Sequence, residues 1–211
     1  MTTTTLIIAG FAGGWIAWTL AEYLLHRFAM HALSGRGIMS REHLEHHVGS
    51  TWSFSSTHLL SWAGMLLVGC AGLMPLVRLA GVTWSVAVSV SVGWAVGYFF
   101  YEFVHMRAHL AAPTGAYSRW VRRHHFHHHF GRPKFNHGVS VGVWDHAFGT
   151  YERPERVRVP RRMALPWLVD EYGELRPEFA DDYVLVGDCD AGAREAMLDR
   201  ARAFASAAPV D

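Results

Sequence analysis

The sequence predicts an all-α protein, an integral membrane helical bundle of about three crossings with a cytoplasmic, histidine-rich helical cap that holds a dimetal site. Three observations predict it: long charge-free stretches, histidine clusters at helical spacings, and the position of those clusters beside the ends of the apolar stretches. The length of 211 residues allows one domain of ordinary size. Hydrophobic residues make up 51% of the chain and charged ones 18%. Mean hydropathy is nonetheless only +0.09, because polar and apolar residues sit in separate blocks. A net charge of +1 gives no basic face for nucleic acid. Two distant cysteines, Cys70 and Cys189, make neither a disulfide framework nor a thiolate site, so any metal must use nitrogen or oxygen ligands.

The first crossing is expected near residues 5–25, with Glu22 as its one charge. A helix needs about 20 residues to span a hydrocarbon core about 30 Å thick. Met1 to Thr5 has no basic n-region, so the run reads as retained rather than as a signal peptide. The second and third crossings are expected near 58–77 and 80–101, separated by Arg78 and flanked by Pro75 and Gly81, which makes a helical hairpin. Gly10 with Gly14, and Gly93 with Gly97, have the small-xxx-small spacing of closely packed membrane helices. Three crossings put the segments His26–His47 and His105–His146 on one side. Arg27, Arg36 and Arg41 mark that side as cytoplasmic. Past Glu152 the chain turns to arginine, proline and acid, giving an irregular cytoplasmic tail over 152–211 with a helix near 190–207.

The histidines fall into boxes: His26-x4-His31, His43-x2-His46-His47, His105-x3-His109, and the run His124-His125-Phe126-His127-His128-His129. Spacings of three and four place imidazoles on one helix face, so His43, His46 and His47 are expected to converge, as are His105 and His109. His26 and His31, five apart, lie roughly 140° apart around an α-helix and are expected to bracket two metals rather than chelate one. Ten imidazoles are too many for one ion and suit two. In the dense run either His124, His127 and His128 or His125, His128 and His129 fit an HxxHH register. His58, His137 and His146 read as ordinary polar side chains. Glu102-x2-His105 is a single Glu-x-x-His copy where the ferritin-like plan needs a pair, and the zincin motif H-E-x-x-H is absent.

These residues, with Glu22-Tyr23-Leu24-Leu25-His26-Arg27-Phe28, Tyr101-Glu102, Pro113, Gly115, Tyr117, Gly138-Val139-Ser140, Trp144-Asp145, Phe148 and Thr150, resemble the fatty acid hydroxylase and sterol desaturase superfamily, and within it fatty acid 2-hydroxylases most. The resemblance covers about residues 15–152, so residues 1–151 are expected to form the hydroxylase-like membrane domain. It implies the metal ligands His26, His31, His43, His46, His47, His105, His109, His125, His128 and His129, and leaves His124, His127, His137 and His146 out. It implies two iron ions, for which zinc can substitute, with O2 as co-substrate in hydroxylation of an unactivated lipid C–H bond, C2 of a fatty acyl chain foremost. A sterol or carotenoid ring is the alternative substrate. Glu102 and Asp145 match acidic positions of the family and are expected to accept the second N–H of ligand imidazoles. The chain lacks the cytochrome b5 domain of fungal and animal relatives and has fewer crossings in its N-terminal half, so electrons are expected from a separate ferredoxin- or cytochrome b5-type protein with its reductase. His137 replaces an aromatic residue usual before Gly-Val-Ser. The ending Ala208 to Asp211 shows no luminal retention signal, which favours a bacterial inner membrane over endoplasmic reticulum. A metal transporter or metal-binding membrane protein is the rival of another class. It would want charged groups at membrane depth, and 79–101 carries none.

Overall fold

The computed structural model describes residues 2–49, 52, 54, 56–187 and 192. It is mostly helical and has three helices long and apolar enough to cross a membrane: Thr3–Ala32, Ser56–Leu79 and Trp84–Leu110. The chain forms two compact units, Met1–Glu22 with Ser53–Phe103, and Tyr23–Trp52 with Val104–Asp211. The expected helix near 190–207 lies outside the described residues.

The first unit contains most of α1 (Thr3–Leu24), then α3 (Ser56–Leu67), a π-helical stretch Val68–Leu73, α4 (Met74–Leu79), and most of α5 (Trp84–Leu110). Helices α1 and α5 touch backbone to backbone. A Cβ on Gly14 would overlap the carbonyl of Val90, and one on Gly93 would overlap that of Phe11. Small residues are what allow this approach where no hydrophobic effect separates helix from lipid. Trp18 fills the same seam, edge-on to Trp94 at 5.3 Å and Tyr98 at 4.9 Å between ring centroids. In the low-dielectric span, polar groups find partners inside: Ser91 Oγ donates to the Gly69 carbonyl at 2.7 Å and Trp94 Nε1 to the Met65 carbonyl at 3.1 Å. The hairpin turns where the sequence places it, with Gly81 at φ 83 and the Arg78 guanidinium 4.9 Å above the Trp84 ring.

Both outer helices outrun their predicted spans. The first continues from α1 into a π-helical segment Leu25–Ala32, and α5 runs on to Leu110, so the pairs His26/His31 and His105/His109 stand on continuations of the two crossings. Apolar periodicity marks where a bilayer would end, whereas the helix ends only when its backbone hydrogen bonds stop.

The second unit adds α2 (Gly37–Gly49), α6 (Ala116–Phe130), α7 (Val143–Ala147), and a two-stranded parallel sheet of β1 (Val157–Pro160) and β2 (Tyr183–Val186). Helix α2 begins after a tight turn that takes Ser34, Gly35 and Gly37 through positive φ. The buried Arg122 guanidinium secures the α5–α6 corner, donating to the carbonyls of Arg107 (2.5 Å), Ala111 (2.5 and 2.8 Å) and Ser118 (2.9 Å). The cation thus sits against carbonyls at the negative end of α5 and adds a charged donor to them.

Over residues 152–187 the chain is more ordered than its composition predicts. Val157, Val159, Leu165, Trp167, Leu168, Phe179 and Tyr183 are buried, and Trp167 Nε1 donates to the Ala108 carbonyl at 3.1 Å. Each such side chain contributes about 1.5–3 kcal/mol by leaving water. Strand register pairs Val157 with Tyr183 and Val159 with Leu185. Alternating β-branched residues at 157 and 159 and the run Tyr183–Val186 carry this signal, but each strand is only four residues long.

Candidate metal centre

The ten histidines singled out in the sequence all belong to the second unit and meet in two groups. His26, His31, His43, His47 and His128 form one; His46, His105, His109, His125 and His129 form the other. Within each group one ring nitrogen per residue lies within 4.8 Å of all the others, an arrangement able to hold a metal ion.

Two sequence expectations change here. His26 and His31 join one group rather than bracketing two, because the helix over Leu25–Ala32 is π-wound. Its i→i+5 hydrogen bonding brings residues five apart onto neighbouring positions. His43, His46 and His47 do not converge either. His43 and His47, one α-turn apart, enter the first group and His46 the second. Helix α6 makes the opposite choice, giving His125 and His129 to the second group and His128 to the first. Each group therefore takes an i,i+4 pair from one HxxHH box, the middle histidine of the other, and a pair from a helix continuing a crossing.

The spacing of the nitrogens suits a metal of high coordination number. Adjacent donors about 2.1 Å from a six-coordinate ion stand about 3.0 Å apart, against about 3.4 Å around a tetrahedral one. In the first group the Nε2–Nε2 separations are 3.0 Å for His26–His43, 2.9 Å for His31–His43, 2.8 Å for His31–His128 and 3.0 Å for His43–His47. In the second they are 3.1 Å for His46–His105 and 2.9 Å for His109–His125. Both ring nitrogens of His129 are buried with no hydrogen-bond partner, a costly state for a polar ring unless an ion satisfies it.

Protonation and tautomer are prepared as well. Burial, then the neighbouring imidazoles, hold His43, His47, His125, His128 and His129 well below the ordinary histidine pKa, so at neutral pH their lone pairs are free to bind metal. His128 Nδ1 donates to the Phe135 carbonyl at 2.7 Å and His26 Nδ1 to the His137 carbonyl, which fixes their protons on Nδ1 and turns Nε2 inward.

Those acceptors are backbone carbonyls, not the expected carboxylates. Asp145 takes N–H bonds from His137 and Gly138 (both 2.8 Å), the Thr150 hydroxyl (2.8 Å), and His124 Nε2 (3.2 Å), which is outside both groups. Burial alone would raise its pKa, but these donors hold it below the usual carboxylate range. Asp145 thus positions the loop whose His137 carbonyl holds His26. Asn136, at φ 57, pins the same loop by accepting from Glu152 N at 2.8 Å and donating to the Glu152 carbonyl at 2.9 Å. From the other side Tyr23 meets Thr150 Oγ1 at 2.9 Å and accepts from Arg27 at 2.8 Å. Glu102 belongs to the first unit, where its carboxyl interacts with Tyr98 and His58.

The remaining histidines find other partners. His127 meets Glu152 at 3.1 Å, His146 stacks on Tyr151 with centroids 3.7 Å apart, and His58 stacks with Phe54 at 5.4 Å. His137 contributes its carbonyl while its ring stays outside both groups. The loop carbonyls at Phe135 and His137 are the positioning groups that the sequence does not reveal, since a main-chain acceptor has no residue signature.

The fold and the site together define a class: a helical protein with three bilayer-length helices and two five-imidazole groups built from interleaved histidine boxes. Comparison with known proteins makes this specific. The family model for fatty acid hydroxylase matches residues 11–150, and the chain belongs to that family. It is 31% identical over 153 residues to the fatty acid 2-hydroxylase of Rattus norvegicus, covering 69% of this chain and 40% of that one. It is 27% identical over 143 residues to a dihydroceramide fatty acyl 2-hydroxylase of Arabidopsis thaliana, covering 66% of this chain and 59% of that one. The solved structure of full-length scs7p, in which only the hydroxylase domain is visible, shares the fold with a TM-score of 0.53 at 24% identity, over 74% of this chain and 59% of that one. The chain spans about two fifths of the length of the rat relative.

Proposed function

We propose that the protein is a membrane di-iron oxygenase that hydroxylates C2 of a fatty acyl chain. The observation that carries this reading is the pair of five-imidazole groups inside a chain of the fatty acid hydroxylase family. The rat and Arabidopsis relatives bear the names of 2-hydroxylases, which supports C2 as the position. In the balanced reaction one atom of O2 enters the C–H bond and the other leaves as water, with two electrons from a separate ferredoxin- or cytochrome b5-type donor and two protons. Iron is the working metal, because a bound redox-active metal pair supplies the O2 chemistry for this step and zinc would fill the site without turnover.

The chain's own residues hold and shield. Each group of five imidazoles would hold one ion, which when bound would supply the O2 chemistry. The Phe135 and His137 carbonyls hold His128 and His26 with Nε2 inward, and Asp145 and Asn136 fix the loop that carries those carbonyls. Burial of His109, His125 and His128 to 1% exposure or less keeps bulk water from the centre. The histidine segments face the cytoplasm in this reading, which Arg27, Arg36 and Arg41 beside the first boxes support.

The test is lipid mass spectrometry of a host expressing the chain, paired with metal analysis of the purified protein. The expected result is 2-hydroxy acyl lipid, about two metal ions per chain, and loss of product with retained membrane insertion in His128→Ala. Full activity in that variant would refute the reading.

A further inference from the structure

The family match ends at residue 150, yet Pro160, Arg162 and Met163 beyond it line a cleft of about 370 Å³ in the second unit. That volume is within the range of about 300–1,000 Å³ typical of small-ligand pockets. One wall is imidazole, with His31 and His47 from the first group and His129 from the second, so the cleft reaches both. Leu44, Phe130 and Met163 make it apolar elsewhere. Among the described residues Arg162 is the one permanently charged side chain that lines it.

The turn that presents Arg162 is held on both sides. Arg161 forks onto Glu174 at 2.9 and 3.0 Å, and Met163 and Leu165 are buried. A guanidinium keeps its charge at any working pH, and its planar fork matches a carboxylate in two parallel hydrogen bonds. In an apolar cleft that attraction is less screened than at an open surface.

We propose that Arg162 binds the carboxylate of a free long-chain fatty acid, whose first carbons lie against Leu44, Phe130 and Met163. The inference rests on the C2-hydroxylase reading and deepens it. C2 is one bond from the carboxyl carbon, so a cation that fixes C1 also fixes which carbon faces the imidazole wall. Arg162 is then a positioning and specificity residue contributed by a segment outside the family match.

The experiment compares wild type, Arg162→Gln and Arg162→Lys as full-length protein in nanodiscs, with equal melting temperatures as the check on folding. Equilibrium binding is measured with palmitate and with hexadecanol, the same chain without the charge. Arg162→Gln should weaken palmitate binding at least about tenfold, leave hexadecanol unchanged, and be partly rescued by Arg162→Lys. In turnover, the Gln variant should spread hydroxylation of palmitate from C2 to carbons farther along the chain. Equal loss for acid and alcohol, or unchanged binding and regiochemistry, overturns the proposal, as does a wild type that hydroxylates N-palmitoyl sphinganine but not palmitate. If wild type hydroxylates no lipid, the C2-hydroxylase reading fails, while charge-selective palmitate binding abolished in Arg162→Gln still establishes the subsite.

Discussion

Removing two histidines from helix α2 should lower metal content by different amounts depending on which two are removed. His43→Ala with His47→Ala takes both α2 donors from the first group, leaving His26, His31 and His128 there and five imidazoles in the second. His46→Ala with His47→Ala takes one donor from each, leaving four and four. Losing even an outer partner of a ligand weakens metal sites by about 10- to 100-fold, or about 1.4–2.7 kcal/mol, so each lost ligand should cost at least that. Two losses in one group then multiply to about 10²- to 10⁴-fold, or about 2.7–5.5 kcal/mol. With about 100-fold lost per ligand, and at a buffered free-metal level roughly 1,000 times the wild-type dissociation constant, the His43/His47 variant should hold about one ion and the His46/His47 variant nearly two. Elemental mass spectrometry after dialysis against that buffer reads the difference. Equal metal content in the two variants, or a full ion lost from the His46/His47 variant, would refute the crossed assignment of the boxes.

Further outcomes follow from the packing. Gly14→Ala should destabilise the detergent-solubilised protein by about 1–3 kcal/mol, because its Cβ meets the unyielding Val90 carbonyl. Gly13→Ala, with nothing within 4 Å, should be neutral or slightly stabilising in the same thermal melt. Arg122→Ala should lower the melting temperature by the equivalent of about 1.5–3 kcal/mol, since it leaves carbonyls at the α5–α6 corner without their charged donor, and Arg122→Lys should recover part of that. The metal-free protein should lose stability as pH falls below about 6.5, where the unfolded chain takes up protons that the buried His43, His47, His125, His128 and His129 refuse. Each contributes up to about 1.4 kcal/mol per pH unit, and stability should level off above that window. Melts of chelator-treated protein across pH 5–8 check the sign.

Much of this is legible in the sequence because it rests on short-range regularities. Charge-free length gives the three crossings, Gly14 and Gly93 mark the helix contact, and the boxes name the histidines that the fold gathers. What is not legible depends on longer-range geometry. The division of each HxxHH box follows from how α2 and α6 oppose one another, and a single helix wheel cannot show that. Asp145 is recognisable as an acid near the site, but its donors come from a loop whose path the sequence does not fix. The sheet escapes because strands at 157 and 183 pair across more than twenty residues, and each is too short for its alternation to stand out.

The π-winding of Leu25–Ala32 changes what a histidine spacing means. The pair His26/His31 is five apart and the pair His105/His109 four, yet each delivers two donors to one group. The number of intervening residues therefore records how tightly the helix is wound, and what the two pairs share is the distance between the rings, 5.1 and 5.0 Å between centroids. Deleting one residue between Arg27 and Met30 should let this segment relax to an α-helix with His-x3-His spacing and still bind two ions. The same deletion between His105 and His109 has no wider winding to relax and should cost an ion. A search for related centres by fixed spacing would miss every site that compensates in this way.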